Sequence, residues 1–245
     1  MNTTNKTVLI TGGGSGIGFA IAKLLANKGN KVLITGRNED KLKNAASKVD
    51  GLHYFTCDIN SKNDVDQLVQ YIVKTFGGLD ILINNAGQAF LNQLGETADS
   101  AEKAGAEMMT NYLSVISLTD KLLPLLKQSN EAAIVNVSSI LAFLPAHAIP
   151  TYSASKAALH SYTQALRYSL TKSTGVKVFE LMPPLVNTEL SAGIGGAKGI
   201  PPDAVAEELI NGFEADHYEI HVGDTAQFYQ LFHSSPAEAF SMLNN

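Results

Sequence analysis

The stretch TVLITGGGSGIGFAIAKLLANKG, residues 7–29, runs three patterns together without a break. A β-rich apolar run, TVLITG at 7–12, ends in glycine. IGFAIAKLLANKG at 17–29 then places Ile17, Ile21, Leu24 and Leu25 at helical spacing and stops at Gly29. Between them lies TGGGSGIG, whose Gly12, Gly16 and Gly18 are spaced G-x-x-x-G-x-G. Glycines let a chain turn tightly and approach a pyrophosphate, and the helix that follows offers unbonded N–H groups and the positive end of its dipole. The spacing G-x-G-x-x-G fits no register here, but the physical logic is the same. A bare βα turn without a ligand is the competing reading; the strand–loop–helix context favours a dinucleotide.

The same alternation continues outward from this unit. Apolar runs at 31–36, 52–59 and 79–87 read as strands, with helical stretches at 39–49 and 61–77 between them. Ser61 is a helix cap with Asp64 three residues on, a variant of the capping box. The second half repeats the pattern: one long helix at 101–126, a strand at 132–139, a helix at 151–173, a strand at 176–184, a helix at 202–213 and a last strand at 218–223. Strands that are apolar almost throughout, alternating with helices, require a mostly parallel sheet covered on both faces. The expected architecture is α/β, a Rossmann-type doubly wound sheet of seven parallel strands, forming one domain over residues 1–245. The glycine-rich segment 191–203 follows the sixth strand, at the edge where such sheets bind ligands, so 188–203 is expected to be a mobile substrate loop.

Composition narrows the function. The chain is 45% hydrophobic and 17% charged, with a formal charge of −5 and no cluster of lysines or arginines, which argues against a nucleic-acid partner. Cys57 is the single cysteine, so no internal disulfide can form. The sequence shows no signal peptide and no apolar run of the ~18–20 residues that a membrane span needs. The expectation is a cytoplasmic protein without a membrane partner. Metal binding is not expected, because His217 and His221 lie on a strand-like run without a matching ligand set. The second strand ends with Gly36 where an acid would hold the ribose hydroxyls of NAD, and Arg37 follows with a fork suited to a 2′-phosphate. NADP(H) is therefore expected over NAD(H).

PTYSASKAALHSY, residues 150–162, sets a phenol and an ammonium four residues apart on one helix, at Tyr152 and Lys156. A free phenol has a pKa of ~10, and a nearby ammonium favours the phenolate. Together with TGGGSGIG, with NNAG at 84–87, and with Asn111 and Ser139, this run resembles the short-chain dehydrogenase/reductase superfamily; the motifs span 11–188 in the family's order. The resemblance implies that Tyr152 is the acid–base, that Lys156 tunes it and holds the nicotinamide ribose, that Ser139 bonds the substrate carbonyl, and that Asn111 supports a water-linked relay. Ser138 is an equal hydroxyl, and only the family spacing selects Ser139. The resemblance further implies cofactor contacts from Gly12, Ser15, Gly16, Ile17, Gly18, Arg37, Asp58, Ile59, Asn85, Ala86, Gly87, Pro183, Val186 and Thr188, with Asn84 stabilising the sheet. Pro183-Pro184 departs from the family's usual Pro-Gly and stiffens that loop.

Leu141, Phe143, Leu144, Leu185, Val186 and Leu190 would give the pocket an apolar mouth, suited to a neutral or aromatic ketone or its alcohol. His147 lies where the family's substrate pocket begins, and solvated and functional readings of it stand equal. A homodimer or homotetramer built on helices 101–126 and 151–173 is implied as well. The run from Tyr218 to Asn245 is similar to a subgroup of oxidoreductases encoded beside teichoic-acid D-alanylation genes. A non-catalytic NADP-binding regulator is the competing function; such a protein would keep the glycine loop and lose the Tyr/Lys pair.

Overall fold

Valines, isoleucines and leucines on both faces of the first, second and fourth strands demand cover on both sides, and the computed structural model, which describes residues 1–95 and 98–245, supplies it. The strands are β1 (Thr7–Thr11), β2 (Lys31–Gly36), β3 (Leu52–Thr56), β4 (Ile81–Asn84), β5 (Ala133–Val137), β6 (Lys177–Met182) and β7 (Glu219–His221). They form one parallel sheet in the order β3-β2-β1-β4-β5-β6-β7. The expected doubly wound seven-stranded sheet is borne out.

Successive residues of a strand point to opposite faces, and the core divides accordingly. Val8 and Ile10 of β1 join Ile34, Ile83, Val135 and Leu181 on one face, under α1 (Gly16–Asn27), α2 (Glu39–Ala46) and α7 (Pro202–Ala215). Leu9 joins Leu33, Leu82, Ile134 and Val178 on the other, under α3 (Lys62–Phe76), α5 (Ser114–Leu126) and α6 (Pro150–Ser173). Ser61 caps α3 as expected: its Oγ accepts from the Asp64 N–H and donates to Asp64 Oδ1 at 2.8 Å.

The side on which successive strands are added switches between β1 and β4, and the crevice beyond their carboxyl ends is where such sheets bind ligands. One hydroxyl knits that edge. Thr11 Oγ1, at the end of β1, accepts from the backbone N–H groups of Asn85 and Ala86, each at 3.0 Å. Behind them a buried ladder crosses the sheet: Asn84 Nδ2 donates to Asn136 Oδ1 at 2.9 Å, and Asn136 Nδ2 to Thr163 Oγ1 at 2.9 Å.

The structure departs from the sequence reading in two places. The helix expected at 101–126 is α4 (Ser100–Met108), a π-helical turn (Met109–Leu113) and then α5. The last strand is short, and the chain beyond it forms α8 (Thr225–Ser234) and α9 (Pro236–Asn244). The segment 188–203 is tied into two short turns, with Ser191 Oγ donating to the carbonyls of Val186 and Thr188. Among the described residues no helix is long and apolar enough to cross a membrane.

Candidate active site

Pro150 opens α6 with its fixed φ, at a position where the missing N–H costs nothing. That start sets Tyr152 in the first turn and Lys156 one turn later, where its Nζ lies 5.5 Å from the Tyr152 ring centroid. Lys156 is 3% exposed, and its Nζ donates to the carbonyl of Val137 at 2.8 Å. The sequence reading expects this ammonium to lower the phenol's pKa. The structure shows the opposite direction: burial lifts Tyr152 well above the ordinary phenol range, and the Glu107 carboxylate adds to it. Burial pushes Lys156 down to about 8, against the pull of Glu180. Spacing makes the two side chains neighbours, but desolvation governs both.

Ser138 and Ser139 follow the end of β5, and their hydroxyls part company. Ser138 Oγ donates to Glu180 Oε1 on β6 at 2.5 Å. Ser139 Oγ accepts from the Leu141 N–H at 3.1 Å, capping a single 3₁₀ turn, and lines the cavity that holds Tyr152. Both residues line that cavity, and they differ in that the Ser138 hydroxyl proton is already given to Glu180.

Asn111 is fully buried within the π turn. Its Oδ1 accepts from the Gln88 N–H and its Nδ2 donates to Gln88 O and to Ser155 Oγ, each at 2.8 Å. Gly87 leaves a gap here: a Cβ on it would stand 3.5 Å from Asn111 Oδ1 and 3.9 Å from Lys156 Nζ. One turn before Asn111, Glu107 is fully buried; its Oε1 accepts from the Phe90 N–H at 2.8 Å, and its Oε2 has no protein partner among the described residues.

A cavity of about 740 Å³ runs from the glycine loop to these groups, and a groove of about 230 Å³ continues past Gly36, Arg37, Asp58 and Ile59. Ser15, Gly16, Ile17, Asn85, Ala86, Gly87, Pro183, Val186 and Thr188 line the larger cavity with Tyr152 and Lys156. Gly18 and Asn111 stand behind the wall. Gly18 serves close packing, since a Cβ there would collide with Asn85 Nδ2 and Gly12 O. Gly12 has φ +64°, and a Cβ on it would lie 2.9 Å from Ala86 Cα. Ser15 makes no side-chain cap bond and the first turn of α1 has no acid, so that turn's N–H groups face the cavity without a competing anion. A pyrophosphate fits this cradle.

Two expected lining residues are elsewhere. Phe143 turns away to pack on Tyr229 and Phe232 of α8, at ring distances of 5.2 and 5.7 Å, and Leu144 is buried. In their place α9 contributes Leu243 and Asn244. Asn244 Oδ1 accepts from the His147 N–H at 2.7 Å and meets His147 Nδ1 at 3.0 Å, while its Nδ2 donates to Pro145 O at 3.1 Å. Lys41, on α2, pairs with Glu189 of the 188–203 segment at 2.6 Å, and both line the cavity. No cluster of three potential metal ligands occurs among the described residues.

Residues 6–198 match the profile of the short chain dehydrogenase family. The chain is an oxidoreductase and belongs to this family. It is 36% identical over 208 residues to the uncharacterized oxidoreductase DltE of Bacillus subtilis, covering 85% of this chain and 82% of that one. A short chain dehydrogenase from Burkholderia cenocepacia, solved in complex with NADP, superposes over all of both chains with a TM-score of 0.87 at 26% identity. The 3-ketoacyl-(acyl-carrier-protein) reductase of Brucella melitensis, solved with NADH, superposes over 86% of this chain and 91% of its own with a TM-score of 0.78 at 30% identity. The resemblances drawn from the motifs and from the C-terminal run are both borne out.

Proposed function

We propose that this protein interconverts a small apolar ketone and its secondary alcohol with NADP(H), using Tyr152 as the acid–base. One observation carries the proposal: a single cavity joins the glycine loop and Arg37 to Ser139, Tyr152 and Lys156. The nicotinamide cofactor, when bound, supplies or accepts the hydride. In the reducing direction the Tyr152 hydroxyl gives its proton to the carbonyl oxygen, while Ser139 Oγ donates to that oxygen and holds it in line. Burial keeps the phenol protonated, which suits a donor. Lys156 places a positive charge 5.5 Å from the ring centroid, and a water-linked relay through Asn111 would run past Gly87.

Cofactor choice rests on this chain's own residues, since the solved neighbours include both an NADP and an NADH complex. Gly36 offers no carboxylate to a ribose diol, and Arg37 is exposed at the groove. The lining residues from the loops after β5 and β6 are apolar or neutral apart from His147 and Glu189, and Glu189 is engaged by Lys41. That lining supports an uncharged substrate. Met109, Leu113 and Tyr168, exposed on the helices expected at an interface, support a homodimer or homotetramer.

A panel of aliphatic and aromatic ketones assayed with NADPH and with NADH tests the reading. Oxidation of NADPH by neutral ketones is the expected result. Cofactor binding with no turnover on any member would instead favour the non-catalytic regulator.

A further inference from the structure

Glu180 is an anomaly by its position. It sits in β6, fully buried, between Phe179 and Leu181. Burying a carboxylate costs several kcal/mol unless it is paired and hydrogen-bonded. Here it is bonded twice over. Ser138 Oγ donates to Oε1 at 2.5 Å, and His160 Nδ1 lies 3.0 Å from Oε1 and 2.9 Å from Oε2. Ser138 precedes Ser139, and His160 follows Lys156 by one helical turn. The ammonium of Lys156 rests on the carbonyl of Val137, the residue before Ser138, and Val137 is in register with Leu181, the residue after Glu180.

We propose that Glu180 is a positioning residue for the reaction: its buried carboxylate ties the strand end bearing Ser139 to the helix bearing Tyr152 and Lys156, and it is the countercharge that holds Lys156 as an ammonium. This rests on the reading that Lys156 acts in its charged form. The surrounding charges leave Glu180 to these partners. Arg167 of α6 is spent on Glu219 of β7 at 3.0 Å and on the carbonyls of Val178 and Tyr218. His221 of β7 is held towards neutrality by burial, with Tyr229 of α8 stacked on it. The charges left to balance Glu180 are His160, whose pKa the hydrogen bond from Glu180 raises, and Lys156, whose charge Glu180 supports against burial.

The two ends of the Glu180–His160 bond therefore act on Lys156 differently. Glu180→Gln deletes the anion and lets burial drive the lysine further down. His160→Gln keeps an amide that can still donate to Glu180 and leaves the anion in place to support Lys156. A purely structural bond would respond to both changes alike.

The experiment is an NMR titration of the cofactor-free protein with isotopically labelled lysine, the Lys156 resonance being assigned by its loss in Lys156→Met. Wild type is expected to titrate at about 8. Glu180→Gln is expected to move that midpoint down by on the order of one unit, and His160→Gln, which keeps the anion, not to lower it. The alkaline limb of kcat/KM should follow the same pattern. A midpoint that Glu180→Gln leaves unchanged or raises, or that both variants lower alike, overturns the proposal. Should Glu180→Gln fail to fold, Glu180→Asp, which keeps the charge and shortens its reach, decides with His160→Gln: Lys156 held near its wild-type midpoint in both supports the proposal, and a downward shift in both overturns it. The titration needs neither cofactor nor substrate, so it stands apart from a failure of the acid–base reading, which shows only in turnover.

Discussion

The Asn111 side chain donates to Ser155 Oγ at 2.8 Å, and this one bond joins the π turn to the helix position immediately before Lys156. The same amide satisfies both backbone groups of Gln88. π-helical turns inside α-helices recur at functional sites, and this one aims a side chain that a regular helix would point elsewhere. Asn111→Ala leaves the part-buried N–H and C=O of Gln88 without that partner and takes one bond from Ser155 Oγ, which still donates to Tyr152 O. Each costs about 1–3 kcal/mol when nothing replaces the bond. A fall in Tm of several degrees is expected, at about 2–4 °C per kcal/mol in a chain of this size, together with a loss of turnover. Calorimetry and steady-state kinetics on one sample check both.

Tyr152→Phe keeps the ring and removes the transferable proton. Turnover is expected to fall by roughly 10²–10⁴-fold, the usual contribution of a proton-transfer group. NADPH affinity, followed by fluorescence, is expected to hold. Near-normal turnover in this variant would show that the proton comes from elsewhere.

Cofactor preference is expected to turn on two adjacent positions. A charge-assisted hydrogen bond from Arg37 to a 2′-phosphate is worth roughly 1.5–3 kcal/mol, or about one to two orders of magnitude. Arg37→Ala should therefore cut kcat/KM for NADPH far more than for NADH. Gly36→Asp should move preference towards NADH, by repelling the phosphate and accepting from the ribose diol. An unchanged ratio in Arg37→Ala would leave Arg37 as a solvated residue at a strand end.

Lys156 trades stability against chemistry. Its pKa in the fold, about 8, lies below its ordinary value of 10.5, so the folded state binds fewer protons than the unfolded chain between those values. The charged lysine is thus a burden below pH 8 that lightens as pH rises towards 10.5. Lys156→Met is expected to raise Tm at pH 7 while abolishing turnover, and the gain should shrink at alkaline pH. A variant less stable than wild type at pH 7 would contradict this.

Asn244→Ala removes the bonds that hold the 145–149 loop against α9. The expected effect is a raised KM for ketones with kcat changed less, because the cavity wall loosens while Ser139 and Tyr152 stay in place. Equal loss of both parameters would place Asn244 closer to the chemistry than its distances do.

Much of this was legible in the sequence for physical reasons. Strands covered on both faces must be apolar at nearly every position, which marks the central strands, while β3 (LHYFT) and β7 (EIH) at the sheet edges show more weakly through their place in the alternation. The glycine loop, Ser139, Tyr152 and Lys156 stand at strand and helix ends that the chain order already locates. The π turn leaves no such trace, because one inserted residue around Asn111 barely disturbs helical periodicity over 101–126. Glu107 looks like an ordinary solvated charge on a helix, and only tertiary packing buries it. Glu180 did leave a signal, a lone carboxylate inside VKVFELM, though not its partners, which come from β5 and α6. Spacing also sets Tyr152 beside Lys156 without revealing how little water reaches them.

The Lys41–Glu189 ion pair bears on how a dinucleotide would enter. It links α2 to the 188–203 segment, and both residues line the cavity that a dinucleotide would occupy. An incoming dinucleotide would meet that pair beside the glycine loop. An exposed pair of this kind is worth no more than about 1 kcal/mol and weakens with ionic strength, so added salt opens the same door that the incoming phosphates push against.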